Sequence, residues 1–414
     1  GPYYLGSGQS FTNREAVKRD LALIIEAGLD AEIPVLIGTA GGSGAAPHLS
    51  WCLEIVNDVL VELNQTARVA HIESDQTAND LITALHQHRI SPLGPVPSLT
   101  VADISESTHI VAQMGVEPVI AALKEGAQIV VAGRCYDPAV FAAVPVMLGF
   151  SEALALHMGK ILECAAIAAI PGSGSDCMLG TLDASGFALE ALNPDRRCTV
   201  TSVAAHTLYE KSDPRLLPGP GGVLDLTGCQ FEQMDDRRVR VTGTQFVKSD
   251  QYSIKLEGAK PVGYRTISLA RIRSPDLIAQ LDTILESVKD QVFQNFGKIE
   301  IAEVKLLFRC YGRDGVMGEL EPMRQAQPHE IGLVIEVVAK TQALADTVCS
   351  FARSTLLHIG YPGRQSTAGN LAFPYSPSDS SHGLVYEFSV YHLLTVDDPL
   401  TPFPRRMQQL GIRS

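Results

Sequence analysis

Short apolar runs alternate with helical stripes through the first half of the chain. Residues 33–39 (IPVLIGT) form a continuous apolar run, the pattern of a strand buried on both faces. Across 47–63, Leu49, Leu53, Val56, Leu60 and Leu63 recur with a helical period. Residues 68–72 predict a second strand, ending at Glu73 and Asp75, and 80–88 predict a helix. Residues 92–99 hold three prolines and predict a loop. A helical stretch over 117–124 leads into a third buried strand over 127–132 (AQIVVA), followed by helices over 138–148 and 152–170. Strands alternating with helices predict an α/β fold: a parallel sheet with right-handed crossovers and flanking helices.

The texture changes after Pro171-Gly172. Short strands are expected over 223–228, 238–244, 253–256, 265–272, 299–310, 330–338 and 384–391, with helices over 275–293 and 342–358. This half reads as mixed α+β. Pro218-Gly219-Pro220-Gly221-Gly222 is strong punctuation, and the boundary is expected near 195–220. The chain thus divides into an α/β domain over 1–200 and an α+β domain over 201–414. The second domain carries a long Gly/Pro/Ser-rich loop at 360–379, of the kind often used for function.

Composition narrows the class. Of 414 residues, 45% are hydrophobic and 19% charged, which fits a large folded chain and excludes a disordered one. Lys and Arg number 33 against 46 Asp and Glu, a net charge of −13. That argues against nucleic acid as a partner, since duplex binding needs a positive footprint. An anionic small molecule needs only a local positive site. The apolar stretches are short or broken by Arg134, Asp137, Pro138 and Pro145, so no membrane span is expected. The eight cysteines are scattered with no CxxC, which predicts free thiols, no structural zinc and a cytoplasmic location. Gly1-Pro2 reads as the remnant of a cleaved tag, placing the natural start upstream.

Candidate chemistry gathers at strand-to-helix junctions. Gly38-Thr39-Ala40-Gly41-Gly42-Ser43-Gly44 follows the first strand, and such a loop can aim backbone N–H groups at an anion near a helix N-terminus. Gly41, Gly42, Ser43 and Gly44 are therefore candidate carboxylate binders; the other reading is a tight turn without ligand. The spacing is neither G-x-G-x-x-G nor a Walker loop, so no NAD or FAD motif is present. Gly133-Arg134-Cys135-Tyr136-Asp137-Pro138 occupies a second junction. In a parallel sheet both junctions lie on the carboxyl edge and can face one crevice. Arg134 can grip a carboxylate with two donors, and Asp137 is either a substrate contact or a helix cap.

Three further groups are candidate proton carriers. Glu163, on an Ala/Ile-rich helix, is expected to be desolvated with a raised pKa, or else paired with Lys160. Asp176 in a Gly/Ser loop is a base, a hard-metal ligand or a turn former. His206 and Tyr209, three residues apart, share a helix face. Glu73, Asp75 and Asp176 leave a carboxylate-bound Mg²⁺ open, and no two-His metal spacing occurs.

Several strings taken together resemble the acyclic terpene utilisation protein family: Gly38–Gly44 with Ala45-Ala46-Pro47-His48-Leu49, Gly-Arg-x-x-Asp-x-Ala at 133–139, Leu162-Glu163-Cys164, Ser175-Asp176, 205–210 with Asp213-Pro214, and Ser-Pro-Ser at 376–378. The ordered set spans nearly the whole chain. The resemblance implies a role in degrading acyclic terpenes through CoA thioesters and a separate small partner subunit. It brings no settled activity. Where the family has Gly or Gln after the Glu-Cys pair, this chain has Ala165-Ala166-Ile167. The expectation is a homo-oligomeric lyase or hydratase acting on a small hydroxycarboxylate or, as the resemblance implies, the corresponding CoA thioester. Arg134 and the glycine loop would hold the carboxylate, and Glu163, Asp176 or His206 would move protons. The alternatives are an isomerase or hydrolase at the same site, or a non-catalytic subunit of a CoA-dependent complex.

Overall fold

A computed structural model describes residues 1–208, 210, 213–297, 303–367 and 369–411. The chain packs as two compact units, one of residues 1–260 with 388–414, the other of residues 261–387. The content is mixed α/β, with parallel and antiparallel sheets and flanking helices, as the alternating pattern predicts.

In the first unit, strands Val35–Ile37, Ile129–Ala132 and Thr66–Ile72 run parallel in that spatial order. Arg405–Gly411 adds an antiparallel edge strand against Thr66–Ile72. The all-apolar sequence of Ile129–Ala132 follows from burial on both faces. Ile129 and Val131 pack with Leu49, Ile55 and Val59 of helix Ala46–Glu62 and with Ile25 of helix Arg14–Asp30. Val130 and Ala132 face the opposite way, toward Val119, Ala122 and Val140. The period-2 alternation of the strand thus fixes a helix–sheet–helix stack.

Beyond this sheet, Gln230–Gln233, Arg238–Thr242, Gly186–Ala191 and Met178–Leu182 form an antiparallel sheet in that order. Its Phe187, Leu189, Val239 and Val241 pack against Leu154, Met158 and Ile161 of helix Glu152–Leu162. The Pro218–Gly222 punctuation is a tight hairpin of this first unit, with Gly219 opposite Gly222.

Two expectations need correction. The helix expected over 152–170 ends at Leu162, with Glu163 as its C-cap and a 3₁₀ turn at Ala165–Ile167. The carbonyls of Ala166, Ala169 and Pro171 instead accept hydrogen bonds from the buried Arg196 guanidinium, which holds the irregular turn that replaces the rest of the helix. The strands expected over 253–256 and 265–272 are one strand, Tyr252–Ile272. Residues 256–259 pair with His109–Ala112 and residues 264–272 with Ile331–Ala339. Pro261 lies between these two registers, so neither ladder needs its missing N–H.

In the second unit, Ile331–Ala339 sits between Lys305–Tyr311 and residues 264–272, all antiparallel. Helices Leu281–Phe296 and Gln342–His358 supply Val288, Val292, Val348 and Ala352 against Leu306, Ile335 and Val337. The helix over 342–358 is where the sequence predicts it; the first residues of the strand expected over 299–310 lie outside the described residues.

Candidate functional site

The two junctions singled out by sequence lie against each other. Strands Val35–Ile37 and Ile129–Ala132 are parallel neighbours, so Gly38 and Gly133 leave the sheet at the same edge. Ser74, just past the third parallel strand, joins the corners: its hydroxyl donates to the Gly44 carbonyl at 2.7 Å and accepts from the Arg134 N–H at 2.8 Å. Thr39 Oγ1 accepts from the Cys135 N–H and from Arg134 Nη1, both at 3.1 Å. It also donates toward Asp137 Oδ1 at 3.5 Å.

These contacts explain the glycines. Gly44 has φ +74°, and a Cβ there would fall 2.2 Å from the Arg134 backbone nitrogen. Only glycine permits both the conformation and the approach. The loop is wound into a 3₁₀ turn in which the Gly42 N–H bonds the Thr39 carbonyl and the Gly44 N–H the Ala40 carbonyl. The loop's backbone N–H groups are therefore spent largely within its own turn, its Gly44 carbonyl ties it to Ser74, and the polar side chains Thr39 and Ser43 line the cleft.

Arg134 is the centre of the site. Its Nε donates to Glu257 Oε2 at 2.6 Å, and Nη1 donates to the Cys135 carbonyl at 2.6 Å and to Asp137 at 3.2 Å. Glu257 is held on its other oxygen by Lys255 at 2.6 Å, whose ammonium lies 4.3 Å from the centre of the Tyr391 ring. Burial alone would raise the Glu257 carboxyl, but the charges of Arg134 and Lys255 outweigh it and bring it down to about 2. Burial opposes the Arg134 charge as well, and Glu257 and Asp137 more than restore it, so the guanidinium stays protonated. Among the described residues nothing bonds Arg134 Nη2, and 16% of the side chain remains exposed. Asp137 is 48% exposed.

Both groups face a cleft of about 410 Å³, whose polar wall is Thr39, Ser43, Arg134, Asp137 and Glu257. Leu5, Phe11 and Phe388 form its apolar wall. Buried His48, in the first turn of helix Ala46–Glu62, pins the covering segment: its Nε2 lies 3.1 Å from the Tyr4 carbonyl and 3.0 Å from that of Gln9. Two cations balance two carboxylates in the site, and the surplus Nη2 donor adds a place for an incoming anion.

The other candidates lie elsewhere, and none of Glu163, Asp176 and His206 lines the cleft. Glu163 is paired with the buried Lys160, so it is not the solitary desolvated carboxylate that the apolar helix implied. His206 is buried, with Nε2 3.1 Å from the Ile161 carbonyl; burial and the Lys160 charge lower its pKa. Tyr209 lies outside the described residues. Asp176 takes Arg196 Nη1 at 2.7 Å, a bond that keeps its carboxyl below the usual range. Glu73 lies 3.6 Å from Arg406, and Asp75 lies 3.4 Å from His109. The three carboxylates read as Mg²⁺ candidates therefore face three separate basic partners. Among the described residues, no three His, Cys, Asp or Glu side chains are grouped to hold a metal ion.

Glu257, Lys255 and the aromatic wall escaped sequence reading. The signal was present: Lys255 and Glu257 stand two apart in an apolar strand, which places both charges on one face.

Fold and site together define an α/β protein with an arginine-centred cleft at the carboxyl edge of a mostly parallel sheet. The model of the Acyclic terpene utilisation family protein AtuA matches residues 19–377, and the chain belongs to this family, which is linked to terpene utilisation. No curated protein and no solved structure matches. Among the described residues no helix is long and apolar enough to cross a membrane.

Proposed function

We propose that this chain is a lyase of the hydratase type, acting on a small hydroxycarboxylate or the corresponding CoA thioester. The observation that carries the reading is the pairing, on one cleft wall, of an unspent guanidinium edge with a half-exposed carboxylate. Arg134 Nη2 binds the substrate's carboxylate or thioester carbonyl, and the Ser43 hydroxyl orients the substrate's own hydroxyl. Asp137 takes the proton α to the carbonyl as general base and returns it to the departing hydroxyl. Water leaves, a carbon–carbon double bond remains, and the reverse sequence is hydration. Developing enolate charge falls beside Arg134, where a preorganised cation is most effective. Glu257, ionised down to about pH 2, cannot donate the proton; it holds Arg134 in place.

Replacing Glu163, Asp176 and His206 by Asp137 as the proton carrier follows from the cleft lining. The test is turnover of short hydroxy acids and their CoA thioesters in heavy-oxygen water. A hydratase incorporates the label into product hydroxyl and loses at least roughly a hundredfold in rate as Asp137→Asn. Turnover without label is the isomerase outcome, label with carbon–heteroatom cleavage is the hydrolase outcome, and a fully active Asp137→Asn overturns the assignment.

A further inference from the structure

Strand Met178–Leu182 is the edge of the antiparallel sheet, paired on one side only, with Gly186–Ala191. Leu192 N–H bonds the Cys177 carbonyl, and Asp183 N–H bonds the Gly186 carbonyl. In an antiparallel ladder the bonded positions alternate, so residues 177, 179, 181 and 183 face the neighbour. Met178, Gly180 and Leu182 therefore direct N–H and C=O to the open edge, where nothing among the described residues bonds them.

The other sheet edges are defended in the ways natural proteins defend edges. Arg405–Gly411, Gln230–Gln233, Gln245–Lys248 and Lys305–Tyr311 carry charged side chains, and Leu216–Gly219 and Ile90–Pro92 carry proline. Val35–Ile37, Ala169–Ile170 and Arg197–Cys198 have only three, two and two residues. His109–Ala112 has its free side taken by the backbone at 74–76. Among the described strands, Met178–Leu182 (MLGTL) alone combines five residues, no formal charge, no proline and an open ladder. It also exposes 48% of Leu179.

We propose that this edge is where two copies of the chain pair, strand to antiparallel strand, about a two-fold axis at Gly180. The register is self-complementary: Met178 of each copy bonds Leu182 of the other, and Gly180 bonds Gly180. Leu179 of each copy then lies opposite Thr181 of the other, which covers the exposed leucine. In the same register Asp183 falls opposite Cys177 and Asp176 opposite Ala184, so no carboxylates meet. On a chain of net charge −13, a charge-free edge is where a second copy meets least repulsion.

The test uses light scattering and native mass spectrometry of the full chain. The wild type should weigh twice its 44.5 kDa, and L179K/T181K, which puts lysine opposite lysine, should weigh 44.5 kDa. L179E/T181E should also be a monomer, and an equimolar mixture of the two variants should recover the dimer mass. A monomeric wild type, dimers that persist in both variants, or an unrelated chain bound at this edge would each overturn the proposal. Amide exchange of the unmodified protein gives an answer that does not depend on the variants folding. Residues 178, 180 and 182 should be protected, and free exchange there would contradict the pairing.

Discussion

Arg134 and Arg196 are two enclosed arginines, each with an aspartate partner, and they differ in what is left over. Arg196 sends its donors to Asp176 and to the carbonyls of Ala166, Ala169 and Pro171, which fixes an irregular turn. Arg134 anchors itself through Nε and Nη1, keeps Nη2 unspent and faces a cleft. Arg196 is the more buried, 6% against 16% exposed, and meets one carboxylate where Arg134 meets two; the surplus donor beside empty space is why Arg134 is the one proposed to bind. The same comparison separates Asp176, held as an anion by Arg196, from Asp137, half exposed on the cleft wall.

Arg196→Ala should have the largest effect on stability. Carbonyls left without a donor cost about 1–3 kcal/mol each when buried, so thermal unfolding should move down by many degrees. Arg134→Ala should be milder on stability, because Glu257 keeps Lys255, while kcat/KM falls roughly 10- to 150-fold from loss of about 1.5–3 kcal/mol of charged hydrogen bonding. Equal loss of stability in both variants would erase the distinction. In Asp137→Asn the loss should be in kcat with KM nearly kept, whereas Glu163→Gln should stay within about tenfold of the wild type in rate.

The pH dependence sharpens a second contrast, between buried groups of opposite sign. His157 lies between the Thr244 and Thr207 hydroxyls, at 2.7 and 3.3 Å, and burial lowers its pKa to about 3. The unfolded chain, with an ordinary histidine near 6.5, binds that proton more readily. Stability should therefore fall as pH drops below about 6.5, by up to about 1.4 kcal/mol per unit, until the folded value is reached. Urea titrations of His157→Gln across this window should show a shallower slope. Glu257 acts at lower pH: its contribution is complete above about 4.3 and lost as pH falls toward about 2. Lys255→Met should move that acid loss upward by a fraction of a unit, the smallest of these effects.

Much of the fold was legible because it rests on periodicity. Helices 117–124 and 342–358 occur with the bounds their stripes predict, and the doubly buried 129–132 strand is a continuous apolar run. The strands at Met178–Leu182 and Gly186–Ala191 were not read, because glycine and an exposed edge blur the alternation. In the site, the meeting of Arg134 with the glycine loop follows from parallel strands ending on one edge. Glu257 is about 120 residues from Arg134 in sequence, and no local pattern links them; their contact depends on strand order. The Lys160 partner of Glu163 was legible because it stands one helical turn away, whereas Arg196, twenty residues from Asp176 and across an irregular turn, was not.

Calorimetric titration of the protein with short 2- and 3-hydroxy acids tests the cleft most directly. Saturable binding should appear in the wild type and in Glu163→Gln, and weaken at least roughly tenfold in Arg134→Lys, which keeps the charge but loses the fork. Wild-type affinity in Arg134→Lys, or no binding of any such acid to the wild type, would contradict the assignment of Arg134 as the carboxylate grip.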